Sequence, residues 1–314
     1  MPSPEHIPVL YEELLASVRS GLSGKSDVVV DMTLGLAGHA CGLMESMRRG
    51  GTFVGFDADA DNLAIAQSNV EERFGKKLPC DARFVHSNFR DVGQALDSLK
   101  LPQISAAFWD LGVSSAHYDL AERGFSFRFD GPLDMRFDRT RGITAQDVLA
   151  SYREEELVRI FSEYGEERHS KSLAFKICQD RPAKNKSPFS TTAQLATWLD
   201  RVSHDPKAKT RVFQALRMEV NQELQAIDKS LRDAFARLKS GGTLSVITFH
   251  SVEDRLVKRL FQELTEAPVD PVTGQDQYPA PAVRLSKKPI EPSLEEVARN
   301  PRSRSAKLRA VAKR

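Results

Sequence analysis

Four short runs rich in β-branched and aromatic residues punctuate the first third of the chain: Asp27–Thr33 (DVVVDMT), Thr52–Asp57 (TFVGFD), Ala82–His86 (ARFVH) and Ile104–Leu111 (ISAAFWDL). They read as successive buried strands, because near-continuous apolar runs are what a sheet covered on both faces requires. Between the second and third, Ala60, Leu63, Ala64, Ala66 and Val70 line one face of a helix. The alternation predicts an α/β fold with a parallel sheet, in the order β-loop-α-β-α-β-β. A later run, Thr243–Phe249 (TLSVITF), follows a helical stretch over Val220–Leu238 and a Ser240-Gly241-Gly242 turn, as a fifth strand of the same sheet should.

Between Leu111 and that late helix the sheet pattern stops. Val148–Tyr164 and Ser170–Gln179 show helical periodicity, and Thr191–Val202 opens on Thr191 and Thr192, both good N-caps. This predicts a helical domain over 113–213 inserted into an α/β domain made of 1–112 and 214–314, and two domains suit a chain of 314 residues. The proline-rich stretch Glu266–Pro292 reads as a loop, and Ser305–Ala312 as a strand closing the sheet edge. No run reaches 18 consecutive apolar residues and the N-terminus lacks a basic, apolar leader pattern, so a cytoplasmic protein without membrane contact is expected. Cys41, Cys80 and Cys178 have no C-x-x-C spacing, and they are expected to be buried small apolar residues with no bound metal.

The net charge of +2 conceals an asymmetry. Residues 168–217 hold eleven Lys or Arg against three Asp or Glu, within the predicted insertion. Such a concentration suits a phosphate-binding footprint or, equally, a solvated surface.

Three constellations fall at strand ends, where ligands bind in open α/β sheets. The first, D-M-T-L-G-L-A-G-H-A-C-G over Asp31–Gly42, lies between a strand and a helix. Its glycines do not make the G-x-G-x-x-G dinucleotide fingerprint, which counts against a nicotinamide oxidoreductase. Asp31 before the loop and Asp57 at the end of the second strand suit the ammonium and ribose hydroxyls of S-adenosylmethionine; a tight structural turn is the alternative. Asp59 and Asp61 compete for the N-cap after Asp57, which frees Asp57 for a ligand, and Phe89 can wall an adenine or fill a core. The second constellation, W-D-L-G-V-S-S over Trp109–Ser115, puts Asp110 at the same edge, without the G-x-S-x-G elbow of a serine hydrolase. The third, F-H-S-V-E-D-R over Phe249–Arg255, brings His250 to the end of the fifth strand, as a substrate contact or a structural histidine. Separately, Arg123–Asp138 interleaves Phe125, Phe127 and Phe129 with Arg123, Arg128 and Arg136, which suits stacking of single-stranded bases or a buried domain-joining loop.

Taken together, H-I-P-V-L (His6–Leu10), D-L-G-V-S-S (Asp110–Ser115), R-G-F-S-F…D-G-P-L-D-M-R (Arg123–Arg136), Y-G-E-E-R (Tyr164–Arg168), Thr210–Leu224, F-H-S-V-E-D-R and Asn300–Arg309 resemble, over nearly the whole chain, the RsmH (MraW) family of ribosomal RNA cytosine-N4 methyltransferases. The resemblance implies a class I (Rossmann-like) methyltransferase sheet with an inserted helical, RNA-recognition domain. It implies S-adenosylmethionine as cofactor, and N4 of a cytidine in the decoding centre of 16S rRNA, within the small ribosomal subunit, as substrate. Carried over, the cofactor contacts fall on Ala37, Gly38, His39, Asp57, Phe89, Asp110 and His117. The family pattern has glycine at position 37 and glutamine at 117; an alanine at positive φ costs about 1 kcal/mol. Asp110 is expected to accept a hydrogen bond from the cytosine amine and the surplus proton to leave to water or to a nearby side chain such as His250, with Arg302, Arg304, Lys307 and Arg309 on the flanking backbone. A non-catalytic small-subunit assembly factor that binds rRNA is the alternative. DNA cytosine-N4 enzymes carry an S/D/N-P-P-Y loop where this chain has D-L-G-V.

Overall fold

The computed structural model describes residues 8–75, 77–267, 270, 273–275 and 277–314, and these divide into two compact units. One runs to Gly112 and resumes over Leu224–Arg314; the other is Val113–Glu223.

The first unit opens with α1 (Tyr11–Arg19), β1 (Val28–Asp31), α2 (Gly38–Ser46), β2 (Thr52–Asp57), α3 (Ala60–Phe74) and β3 (Asp81–His86). It continues with α4 (Val92–Ser98), a short helix the sequence pattern did not reveal, and β4 (Ile104–Asp110). The second unit holds α5 (Ser115–Asp119), α6 (Ala145–Ser151), α7 (Glu154–Glu163), α8 (Ser170–Gln179), α9 (Thr192–Val202) and α10 (Ala208–Val220). Back in the first unit are most of α11 (Glu223–Arg237), β5 (Leu238–Thr248), α12 (Ser251–Thr265), β6 (Ala282–Arg284), α13 (Leu294–Arg299) and β7 (Lys307–Lys313).

Strands β1 to β5 are parallel, and the seven-stranded sheet runs β3-β2-β1-β4-β5-β7-β6 with β7 antiparallel to both its neighbours. Side chains alternate faces along each strand. Val29, Phe53 and Phe108 point into one apolar layer with α1, α2 and α3, while Val28, Val30, Val54 and Trp109 point into the other with α4, α11 and α12. Trp109 is fully buried, and its indole N–H donates to Ser230 Oγ at 3.1 Å, so the ring brings no unmet polar group into the core.

Three sequence expectations need correction. The expected second boundary, 213, falls inside α10, whose Val212, Phe213 and Leu216 are buried on one face; the chain turns only at Asn221 and Gln222, the latter at φ 49°, which puts the boundary at 223. The single helix read over Val148–Tyr164 is two, because Tyr152 turns extended and Arg153 then caps α7. The strand at Ser305–Ala312 is not the sheet edge: β7 lies between β5 and β6, and β6 is drawn from the proline-rich stretch read as loop.

No helix among the described residues is long and apolar enough to cross a membrane. Cys41 and Cys80 are buried and Cys178 half-buried, all as free thiols.

Candidate functional site

The sheet reverses its winding between β1 and β4, and the carboxyl ends of β1, β2 and β4 meet there. Each strand ends in an aspartate. Asp31, Asp57 and Asp110 thus share one edge because the sequence places an acid as the last residue of three strands that the topology makes adjacent.

Loop 32–37 is built around these acids. Asp57 accepts from the backbone N–H of Gly35 at 2.9 Å and of Asp59 at 2.8 Å, tying the glycine loop to the tip of β2. Asp59, not Asp57, caps α3 by accepting from Asp61 N–H, as the sequence spacing suggested. Asp31 accepts from Thr33 N–H at 3.0 Å, and the Thr33 hydroxyl receives Asp110 N–H at 2.7 Å, so the loop also clamps the end of β4. Gly35 and Ala37 both take left-handed backbone, at φ 54° and 65°. Ala37 is fully buried, so the strain of its Cβ is met by apolar packing of the methyl. Gly38 has no such room: a Cβ there would lie 2.6 Å from Pro8 Cγ. That packing explains Pro8 in the H-I-P-V-L motif, whose His6 and Ile7 lie outside the described residues.

The acids are electrostatically poised. Burial pushes the Asp57 carboxyl up to about 7 despite the N–H groups that oppose it. Burial, reinforced by the nearby charge of Glu253, does the same for Asp110, also to about 7. Asp31 sits well above the usual carboxylate range, from burial first and then from the charges of Asp110 and Asp57. Asp110 Oδ1 is buried without a hydrogen-bond partner among the described residues, whereas Oδ2 stands 3.5 Å from His39 Nδ1. His39 is itself buried; its Nε2 bonds the Val9 carbonyl at 3.0 Å and its ring stacks on Tyr11. Three carboxyls raised chiefly by burial, gathered at one edge with an unmet oxygen, form a site that a cation would stabilise in its ionised form.

The other expected residues are placed as follows. Phe89 opens a short turn after β3 and packs, half-buried, against the apolar layer that includes Val92 and Leu96. His117 lies in the second unit, buried between Phe125 and Phe137 with Nδ1 at the Ser114 hydroxyl. His250 caps α12, its Nδ1 accepting from Glu253 N–H at 3.4 Å and its Nε2 lying 2.8 Å from Glu253 Oε1. The His250–Glu253 spacing is that of a capping box, a signal present in F-H-S-V-E-D-R. Thr33, Tyr11 and the His39–Asp110 contact were not read from the sequence, since nothing local links positions so far apart.

The arginine expectations divide in the same way. Arg123 is buried and donates to the carbonyls of Arg136 and Phe137, and Arg136 pairs with Asp134, so neither faces outward as a phosphate contact. Phe127, Arg128 and Phe129 are exposed, with Lys209 Nζ 5.6 Å above the Phe127 ring. Arg309 makes a two-point bridge to Asp254 at 2.7 and 3.0 Å, whereas Arg302 and Arg304 are exposed.

Against known proteins, the family model described as the MraW methylase family matches residues 3–314. The chain is 39% identical to "Ribosomal RNA small subunit methyltransferase H" of Clostridium botulinum, covering 98% of this chain and 99% of that one. It is 41% identical to the protein of the same name from Methylobacillus flagellatus, over 98% and 94%. Among solved structures, an rRNA methylase from Streptococcus thermophilus aligns over 96% of this chain and 92% of its own, at 9% identity and a TM-score of 0.42. With a match across almost every position, and with the loop and strand-end acids in place, the chain belongs to the MraW methylase family.

Proposed function

We propose that this chain methylates rRNA of the small ribosomal subunit in the cytoplasm, transferring a methyl group from S-adenosylmethionine to N4 of a cytidine in the decoding centre of 16S rRNA. The names of its relatives support the substrate, and the acid cluster at Asp31, Asp57 and Asp110 carries the cofactor assignment. A ligand bearing an ammonium and a sulfonium favours the ionised form of these buried carboxyls, and the anionic pyrophosphate of a dinucleotide does not.

When bound, the cofactor supplies an electrophilic methyl on sulfur. The chain supplies alignment and a proton acceptor. Asp57, already held by Gly35 and Asp59, keeps lone pairs for ribose hydroxyls. Asp110 Oδ1 accepts a hydrogen bond from the cytosine amine, which localises a lone pair otherwise spread into the ring. The N4 proton then passes to Asp110, whose carboxyl at about 7 is matched to take and release it near neutrality. With the Nε2–H of His39 donated to the Val9 carbonyl, the unprotonated Nδ1 of the neutral ring faces Asp110 Oδ2 at 3.5 Å, where it can accept from the carboxyl in its protonated form. Positioning of this kind contributes roughly 7–11 kcal/mol to such reactions. In the second unit, the exposed Phe127, Arg128 and Phe129 and the exposed cations of 168–217, among them Lys171, Lys184 and Lys186, suit stacked bases and their phosphates.

Purified protein incubated with labelled S-adenosylmethionine and small subunits lacking the modification should place label in N4-methylcytidine of the decoding region, mapped by mass spectrometry. Tight RNA binding with no transfer to subunits or to free rRNA would refute the enzymatic reading and leave an assembly factor.

A further inference from the structure

A second basic site, made of residues outside the acid cluster, lies in the first unit. Here α12 and the edge pair β6–β7 enclose a pocket lined by Lys258, Arg284, Lys287, Lys288 and Arg309 over the buried face of Phe261, with no carboxylate among its lining residues. Two of the five cations are committed: Arg309 is bridged to Asp254, and Arg284 donates to the Thr265 hydroxyl with Glu266 at 4.0 Å. Lys258, Lys287 and Lys288 are exposed and make no ion pair with any described residue. Three exposed lysines thus line one small concavity with no carboxylate beside them, which makes its rim positive.

The lysines are presented by a fixed piece of backbone. Residues 285–290 arch off the sheet edge and are pinned at both ends to β7, by Leu285 N–H to the Ala310 carbonyl at 3.0 Å and by a reciprocal pair between Ile290 and Leu308, both 2.9 Å. Between the pins, the Ser286 hydroxyl closes onto the Lys288 carbonyl at 2.7 Å and Pro289 restricts the return. Lys287 and Lys288 therefore leave a braced turn, and Lys258 meets them from α12.

We propose that this pocket binds the phosphodiester backbone of the RNA substrate, as a sequence-independent docking point separate from the second unit. The proposal rests on the rRNA reading above and adds to it a contact on the cofactor-binding unit itself. Lysine is suited to this task because it acts as a point charge toward phosphate without demanding a fixed fork geometry. Backbone contacts of this kind fix register and orientation while leaving sequence to be read elsewhere.

The test compares the wild-type chain with Lys258→Ala/Lys287→Ala/Lys288→Ala and with the triple Lys→Arg variant, in filter binding to small-subunit rRNA across a salt series and in methyl transfer to the same RNA. Loss of three phosphate contacts should lower the slope of log K against log salt by about 2, which amounts to roughly a 50-fold weaker complex at 0.15 M salt if the curves meet at 1 M. The alanine variant should raise KM for RNA with kcat and S-adenosylmethionine affinity unchanged, and the arginine variant should restore the slope. An alanine variant with wild-type slope and KM overturns the proposal, as does a wild-type chain that binds no RNA. A wild type that binds RNA through these lysines but transfers no methyl group leaves the pocket standing and removes the enzymatic reading beneath it.

Discussion

Replacing Asp110 by asparagine should make the ligand-free protein more stable while removing its activity. The carboxyl lies at about 7 in the fold against 3.8 for the ordinary group, so above pH 7 the fold carries an ionised group that it would rather keep neutral. A group whose folded value is raised binds more protons folded than unfolded, and stability then falls as pH rises between the two values. At 1.36 kcal/mol per pH unit the penalty approaches about 4 kcal/mol at pH 8 and shrinks to about 2 kcal/mol at pH 5. Both are upper bounds, because the Asp110 side chain is 24% exposed and water offsets part of the cost. Asparagine keeps the shape, presents its amide N–H to His39 Nδ1 and carries no charge. Urea unfolding of the ligand-free wild type and Asp110→Asn at pH 8 and pH 5 reads the difference, and methyl transfer reads the activity. An Asp110→Asn protein that is less stable at pH 8, or whose gain is equal at both pH values, would show that burial and the charge of Glu253 do not raise the Asp110 carboxyl.

The same carboxyls set the pH dependence of cofactor binding: S-adenosylmethionine affinity, measured by calorimetry, should fall about a hundredfold between pH 8 and pH 5 for each of Asp57 or Asp110 that must be ionised, and a flat profile contradicts this. Ala37→Gly should change stability by less than about 1 kcal/mol, since relief of left-handed strain is offset by a lost buried methyl and a floppier unfolded chain; a loss above about 2 kcal/mol in urea unfolding contradicts that balance. Arg309→Ala should cost about 2 kcal/mol at pH 7 by leaving Asp254, which burial would raise but the Arg309 hydrogen bonds and charge hold below its usual range, with only Lys307 at 4.0 Å and the Thr248 hydroxyl. Its stability is present above the unfolded value and lost as pH falls through the folded one, so the wild-type advantage should disappear in strong acid; a pH-independent difference points to packing instead.

The strands and the acid edge were legible because both follow from local pattern: apolar runs mark the strands, and Asp31, Asp57 and Asp110 end them. Topology then does the assembly, bringing together residues that sequence spacing alone leaves apart. Side-chain partners were not legible. Arg123, Arg136 and Arg309 have the composition of a phosphate surface, yet Arg123 is taken up by carbonyls and Arg136 by Asp134 of its own stretch, and Arg309 by Asp254 of a distant one. His250 looked chemical from its place at a strand end, and Glu253, three residues on, makes it a cap. β6 escaped notice because three residues in a proline-rich stretch carry no period; β7 supplies the hydrogen bonds that define it.

The position of β7 has a consequence for how the molecule is made. It follows every other strand in chain order, yet it is sandwiched between β5 and β6. During vectorial synthesis the parallel strands emerge first, then a whole helical unit, then β5, whose outer edge has no neighbour until β7 arrives. An unpaired edge of this kind is a template for wrong pairing, and long-range closure is slow. Late-acting truncations or a stalled ribosome would therefore release a chain with its acid cluster formed and its sheet open, a species prone to aggregate and a natural substrate for chaperones.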